Sequence, residues 1–364
     1  MRLQFFPSRQ IGWYMARLFL VRTFAVLLML VLVLQTLDLL GESGKILSVA
    51  GNSEADLWRY VGMRAPQIIA RFLPFSVLLA TLITFATLSQ NSEVIAMKAA
   101  GLSAHQILAP MLAASLVVAG VSFAFNDTVV APATAKLKVW QDVEYGPVPK
   151  DDGVRTNVWV REGRDLIQVR TVSGKGVDTQ LQGIRVYQRA DGSLKRVIHA
   201  ETGRLSDGAW QLENIEIFDV AKAEQEKLPE LVVGRGIEPE RFNRLKVDGD
   251  ALGFLPLMRA IDDLKAAGRR TDTLEGILWH KISGPLSALL MPLLGAVAAF
   301  GLARSGALFL RAVIGMALGF AYFVADNFAL AMGNLGAYSP FIAAWAPFLL
   351  FLLIGETVLV RTEE

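Results

Sequence analysis

The sequence predicts a membrane-spanning α-helical bundle of six helices, three plus three, with an all-β, jelly-roll-like domain inserted between the two halves. Three observations predict it. The chain of 364 residues is 53% hydrophobic and only 19% charged, with a mean hydropathy of +0.42, which is too apolar for a water-soluble protein of this length. Six apolar segments are long enough to cross a hydrocarbon core of about 30 Å, which takes roughly 20 helical residues. Between the third and fourth segments the pattern changes to strict apolar/polar alternation, the signature of half-buried strands.

Residues 1–126 form the first half, with spans predicted at 17–39, 71–89 and 107–125. Arg2, Arg9, Arg17 and Arg22 precede a long apolar run that begins at Thr23. That run exceeds a signal-peptide core and no small-residue cleavage site follows it, so it reads as a retained span. Residues 57–69, with Trp58, Tyr60 and Arg64 and with Pro66 near their end, suit a helix lying at the membrane surface.

Residues 127–255 form the β domain. Alternating runs occur at Asn157-Val158-Trp159-Val160-Arg161, at Asp165-Leu166-Ile167-Gln168-Val169-Arg170, at Gly183-Ile184-Arg185-Val186-Tyr187, and from Trp210 to Phe218. Asp191-Gly192 and Asp207-Gly208 fall between such runs, where hairpin turns belong. Residues 256–364 form the second half. An amphipathic stretch at 255–267 leads into spans predicted at 278–302, 308–332 and 340–360. Six spans place both termini on one face, expected to be the cytoplasm, and the β domain on the other, expected to be the periplasm.

Several functions are disfavoured. Net charge is only +2 and no basic tract interleaves with aromatics, so nucleic acid is not an expected partner. There is no Cys, and His105, His199 and His280 stand far apart, so no metal site is expected. No P-loop, G-x-S-x-G or H-E-x-x-H pattern occurs, and no catalytic residue is assigned. Active transport would then draw its energy from another subunit or an ion gradient. Asp326 and Asn327 sit inside the fifth span, where a charge is costly. A hydrogen bond from Asp326 to a neighbouring helix is the first expectation, and a proton relay the second.

The loop after the second span is the most informative stretch. Ser92 can cap a helix, Glu93 suits its positive end, and Gly101 can stop it. A short helix at about 91–101 follows, with Ser92, Glu93, Val94 and Met97 as residues that an ATPase subunit could grip. A plain connection between spans is the other reading.

The stretch 71–103, with Phe72-Leu73-Pro74-Phe75 at its start and Ser92-Glu93-Val94-Ile95-Ala96-Met97-Lys98-Ala99-Ala100-Gly101-Leu102-Ser103 at its end, resembles the LptF/LptG permease family of lipopolysaccharide export. Leu278-Trp279-His280-Lys281-Ile282-Ser283-Gly284-Pro285-Leu286 resembles the start of that family's fourth span. This segment and the Asp in span five look closer to the G member than to the F member. The order of spans and β domain matches over essentially the whole chain.

The resemblance implies a subunit of the Gram-negative inner membrane that pairs with an F-type relative as a heterodimer. A dimeric cytoplasmic ABC ATPase would bind the coupling helices, with Glu93 as the acidic coupling position. ATP would be used by that partner, and this chain would bind no cofactor. Lipopolysaccharide would enter a cavity between the permeases and pass, through the β domain, to a periplasmic bridge protein. A single-span regulatory membrane protein is a further implied partner.

Lys45, Lys136, Lys138 and Lys281 are the candidates for lipid phosphates, against ordinary snorkelling to the interface. Phe72, Leu73, Phe75, Phe320 and Phe323 are the candidates for acyl chains, against plain core packing. The family often carries several basic residues at the outer end of span one. Here Gln35, Asp38, Gly41 and Glu42 stand there instead. A membrane-anchored periplasmic scaffold and an intramembrane lipid enzyme are the competing functions. Six spans exceed what an anchor needs, and no acid, base and nucleophile cluster supports the enzyme.

Overall fold

The computed structural model describes residues 7–148, 155–162, 165–174, 179–190, 193–206, 209–220, 222, 224–233, 247–266, 269–300 and 308–361. The chain forms two compact units, one of residues 1–147 and 248–364, the other of residues 148–247.

The helical unit contains α1 (Arg9–Ser48), α2 (Glu54–Gln90), α3 (Glu93–Ala99), α4 (Ala104–Phe125) and α5 (Ala131–Asp142), then α6 (Phe254–Ala266), α7 (Asp272–Phe300), α8 (Leu308–Asn334) and α9 (Pro340–Arg361). Among the described residues six helices are long and apolar enough to cross a membrane: α1, α2, α4 continued by α5, α7, α8 and α9. The three-plus-three arrangement expected from hydropathy is present.

Two expectations change. The surface helix expected at 57–69 is the first part of a continuous α2. Ser53 and Asp56 form a capping box, with the Ser53 backbone N–H donating to Asp56 Oδ2 at 3.0 Å, so the helix starts at Glu54, well before the apolar run. Pro66 and Pro74 lie inside it, where each removes one backbone donor. The boundary at 126/127 also moves. Span three runs on through a π-helical turn (Asn126–Val130) into α5, and residues 127–147 and 248–255 belong to the helical unit. Leu137 and Trp140 of α5 pack with Ile46 of α1 and Tyr60 of α2, which holds this extension in the bundle.

The π turn has a further role. Asp127 within it accepts the backbone N–H of Phe254, so it caps the first turn of α6 from outside. The α6 face formed by Leu257, Ile261 and Leu264 is buried at helical spacing, while Leu255 and Met258 are exposed.

α7 is the centre of the bundle. Its apolar window is 61% buried, against 22% for α1 and for α8. Leu290 and Leu294 of α7 join Phe19, Leu78, Phe85, Met111, Tyr322 and Phe351 in one core. Close approach of α2 depends on Gly295, where a Cβ would stand 2.7 Å from Thr81 Cγ2.

The β unit is one six-stranded antiparallel sheet with strands in sequence order: β1 (Arg155–Glu162), β2 (Asp165–Ser173), β3 (Gln180–Ala190), β4 (Ser193–Ser206), β5 (Ala209–Asp219) and β6 (Glu224–Val233). The alternation places Ile167, Val186 and Ile198 at paired register positions on one face, together with Val169, Ile184, Ala200, Leu212 and Ile215 in the core. Ala190 pairs with Ser193 and Ser206 with Ala209. The turn dipeptides Asp191-Gly192 and Asp207-Gly208 lie outside the described residues. Among the described strands, β1 and β6 each have one unpaired edge.

Candidate functional site

A cavity of about 590 Å³ opens between α2, α4, the π turn, α5, α7 and α8. Leu73, Pro74 and Phe75 of α2, Ala288 and Met291 of α7, and Phe323 and Leu330 of α8 supply its apolar lining. Arg71, Asn126, Lys138, Asp250, His280, Lys281, Asp326 and Asn327 supply its polar lining. Phe75 lies edge-on to Phe323 at 5.2 Å between centroids and tilts against Phe72 at 6.1 Å. Of the five candidate acyl-chain residues, Leu73, Phe75 and Phe323 line this cavity. Phe72 stands half-buried beside it, and Phe320 points outward, 61% exposed.

The four candidate lysines do not converge. Lys281 and Lys138 line the cavity, Lys136 is exposed on α5, and Lys45 lies on α1. Lys45 pairs with Glu42 at 2.9 Å. Lys138 pairs with Asp248.

The Lys138–Asp248 pair leaves a pH signature. Burial works against the Asp248 carboxylate. The hydrogen bond from Lys138 and those from the Asp250 and Ala251 backbones outweigh it, and its pKa is lowered. A carboxyl group depressed in the folded state contributes stability above its unfolded pKa and loses it as pH falls through the folded value. The wild-type melting temperature should therefore fall faster than that of Asp248→Asn on acidification below about pH 4. Parallel curves would deny the pair any stabilising role. The effect is small, since both side chains are at least one-third exposed.

The acidic C-terminal end of α1 is occupied internally. Asp38 accepts from Tyr60 Oη at 2.6 Å and from Arg64 Nη2 at 2.9 Å, both on α2. Glu42 accepts from Tyr145 Oη at 2.8 Å. Asp38 and Glu42 thus fasten α1 to α2 and to the chain just after α5.

The hydrogen bond expected for Asp326 is not made. Its Oδ1 is buried with no hydrogen-bond partner among the described residues. Its Oδ2 lies 3.8 Å from His280 Nε2, an ion-pair distance too long for a hydrogen bond. Ser283 Oγ stands 3.3 Å from the other ring nitrogen. The ring also depends on Gly284, where a Cβ would lie 3.3 Å from His280 Nε2. The i+3 and i+4 positions of Ser283 and Gly284 were readable in the sequence. The approach of α8 was not.

The connection between α2 and α4 forms a second feature. Gly101 takes φ +83°. Its N–H bonds to Lys98 O at 3.0 Å and that of Leu102 to Met97 O at 3.1 Å, a complete Schellman closure of α3. Glu93 accepts from Tyr14 of α1 at 3.4 Å and from Asn91 at 3.3 Å. The Ser92 side chain does not cap the helix. Ser92 turns the chain at φ +59°, and only its carbonyl serves α3, accepting from Ala96 N at 3.0 Å. Val94 and Met97 pack inward on the core. Ile95 projects outward, 66% exposed, and had not been singled out from the sequence.

The family profile described as lipopolysaccharide export system permease LptF/LptG matches residues 13–361, from α1 through the β unit to the end of α9. The chain belongs to the LptF/LptG family. It is similar to the lipopolysaccharide export system permease protein LptG of Escherichia coli (strain K12), 24% identical over 309 residues, covering 83% of this chain and 84% of that protein. It is equally similar to the LptG of Haemophilus influenzae, 24% identical over 324 residues, covering 86% of this chain and 89% of that protein. Within the LptF/LptG family the chain is therefore LptG-like. Membership and the six apolar helices make it a multi-pass inner-membrane protein and a permease of a transport system.

Proposed function

We propose that this chain is the LptG-type subunit of an ATP-driven exporter that extracts lipopolysaccharide from the inner membrane and passes it to a periplasmic bridge protein. The observation that carries the reading is α3. It is a short helix closed at its C-terminus, tied to α1 through Glu93, seated by Val94 and Met97, and presenting Ile95 outward. A passive connection needs no such outward apolar residue. α3 lies at the opposite end of the spans from α5, on the cytoplasmic side in this reading, where a dimeric ABC ATPase docks and supplies the ATP hydrolysis that this chain does not perform. Glu93 then holds α3 in register with α1, and Ile95 with its neighbours enters the ATPase.

The least buried spans, α1 and α8, carry exposed apolar residues such as Phe24, Leu28, Leu32, Phe320, Val324 and Phe328. An F-type relative covers part of that surface in a heterodimer, and a single-span regulatory helix is a further candidate neighbour. Acyl chains contact Leu73, Phe75 and Phe323, with Phe72 and Phe320 at the margins. Lys281 and Lys136 are the cations best placed for lipid phosphates, because a phosphate at Lys45 or Lys138 must displace Glu42 or Asp248. The β unit lies in the periplasm, and an open strand edge extends the bridge by edge-to-edge pairing.

Reconstitution of the chain with an F-type relative and the ATPase in proteoliposomes tests this. The expected result is ATP-dependent release of lipopolysaccharide to a soluble bridge protein. An assembled complex that hydrolyses ATP without releasing lipid sinks the reading and leaves a scaffold role.

A further inference from the structure

Two opposite charges line the same cavity without completing each other. Asp326 is 7% exposed; among the described residues Oδ1 has no hydrogen-bond partner and Oδ2 reaches only His280, at 3.8 Å. Arg71 of α2 is exposed on the cavity lining and makes no ion pair or hydrogen bond among the described residues. Among the other cations of the lining, Lys138 already has a carboxylate partner. It pairs with Asp248, and Lys281 is a second cation of the lining. A buried carboxyl group within a membrane span that lacks hydrogen bonds is expensive, and such groups mark sites that something else completes.

A ligand carrying both a phosphate and an ammonium answers both groups. A guanidinium matches phosphate oxygens with two parallel donors. An ammonium offers three donors to a carboxylate. The apolar wall of Leu73, Phe75, Met291 and Phe323 then receives attached hydrocarbon. We infer that this cavity binds the phosphoethanolamine group of a lipid, with Arg71 on the phosphate and Asp326, bordered by His280, on the ammonium. The inference rests on the proposed reading of the cavity as a lipid site. Two lipids supply this chemistry: lipopolysaccharide bearing a phosphoethanolamine substituent, and phosphatidylethanolamine of the surrounding bilayer.

The test uses the full chain with its F-type partner in detergent. Binding of short-chain phosphatidylethanolamine and phosphatidylglycerol is compared by native mass spectrometry, since the second lipid keeps the phosphate and lacks the ammonium. Wild type should prefer phosphatidylethanolamine by about tenfold. Asp326→Asn should erase the preference, and Arg71→Gln should weaken both lipids. Arg71 is exposed, so its variant remains informative where the Asp326 variant does not fold. Equal affinities in wild type, a preference that survives Asp326→Asn, or undiminished binding to Arg71→Gln overturns the inference.

Competition by lipopolysaccharide with and without the substituent separates the sources. Displacement only by the substituted form assigns the site to cargo as well as to bilayer lipid, and displacement by neither assigns it to bilayer lipid alone. Equal displacement by both forms removes the requirement for the ammonium and overturns the inference. A wild type without headgroup preference that still exports lipopolysaccharide overturns only this inference. A clear preference in a complex that exports nothing overturns only the transport reading.

Discussion

Ile95→Asp should release the ATPase from the permease. Ile95 is the large apolar residue of α3 that faces outward, 66% exposed, while Val94 and Met97 face the core. An apolar side chain that enters a partner's pocket commonly contributes about 2–4 kcal/mol. A carboxylate in its place adds a desolvation penalty. The expected loss is about 100-fold in affinity, read as disappearance of the ATPase from a mild-detergent copurification. Melting of the permease alone should stay within about 0.5 kcal/mol of wild type, because the site is a surface position. Met97→Ala acts differently. It removes the seat of α3 from inside, so it should weaken the ATPase and the fold together. Full ATPase recovery with Ile95→Asp would reduce α3 to a connection.

The second large effect concerns stability. Gly295→Leu places a side chain where even a Cβ stands 2.7 Å from Thr81 Cγ2 and 3.1 Å from Thr81 Cβ. Thr81 is fully buried, β-branched, and hydrogen-bonded to Val77 O at 2.8 Å, so it has no free rotamer to escape into. α2 and α7 must separate at the centre of the bundle. Overpacking of this kind costs about 1–3 kcal/mol for a few added methylenes, and the upper end applies at a helix–helix contact without slack. Thermal unfolding in detergent should show the loss, while Gly41→Leu, at an open position of α1, should not. Equal melting of the two variants would mean that α2 and α7 can part at little expense.

The spans were legible because length and hydropathy are local properties, and the strands because alternation is. The continuity of α2 was not, since it follows from the Ser53–Asp56 box and from Asp38 reaching Tyr60 and Arg64, a helix away. Glu93 and Gly101 announced α3, but seven residues give too little period to say which side faces out, and Ile95 was passed over. Ser92 misled because a residue suited to capping was used for its left-handed turn. Asp326 was visible as an oddity. Its meaning depends on α2 and α8 bringing Arg71 and Asp326 to one cavity, and no local pattern encodes that.

The unbroken α2 has a mechanical consequence. Its 37 residues extend about 55 Å at 1.5 Å per residue, well beyond a hydrocarbon core of about 30 Å. One end carries α3, and the other is clasped to α1 by Asp38. Bending at Pro66 or Pro74 leaves an arm of about 24–36 Å up to Gln90, and a tilt of about 10° sweeps its end through about 5 Å, roughly the width of an acyl chain. Both prolines are natural pivots, and Pro74 lies in the wall of the cavity that the lipid would have to pass.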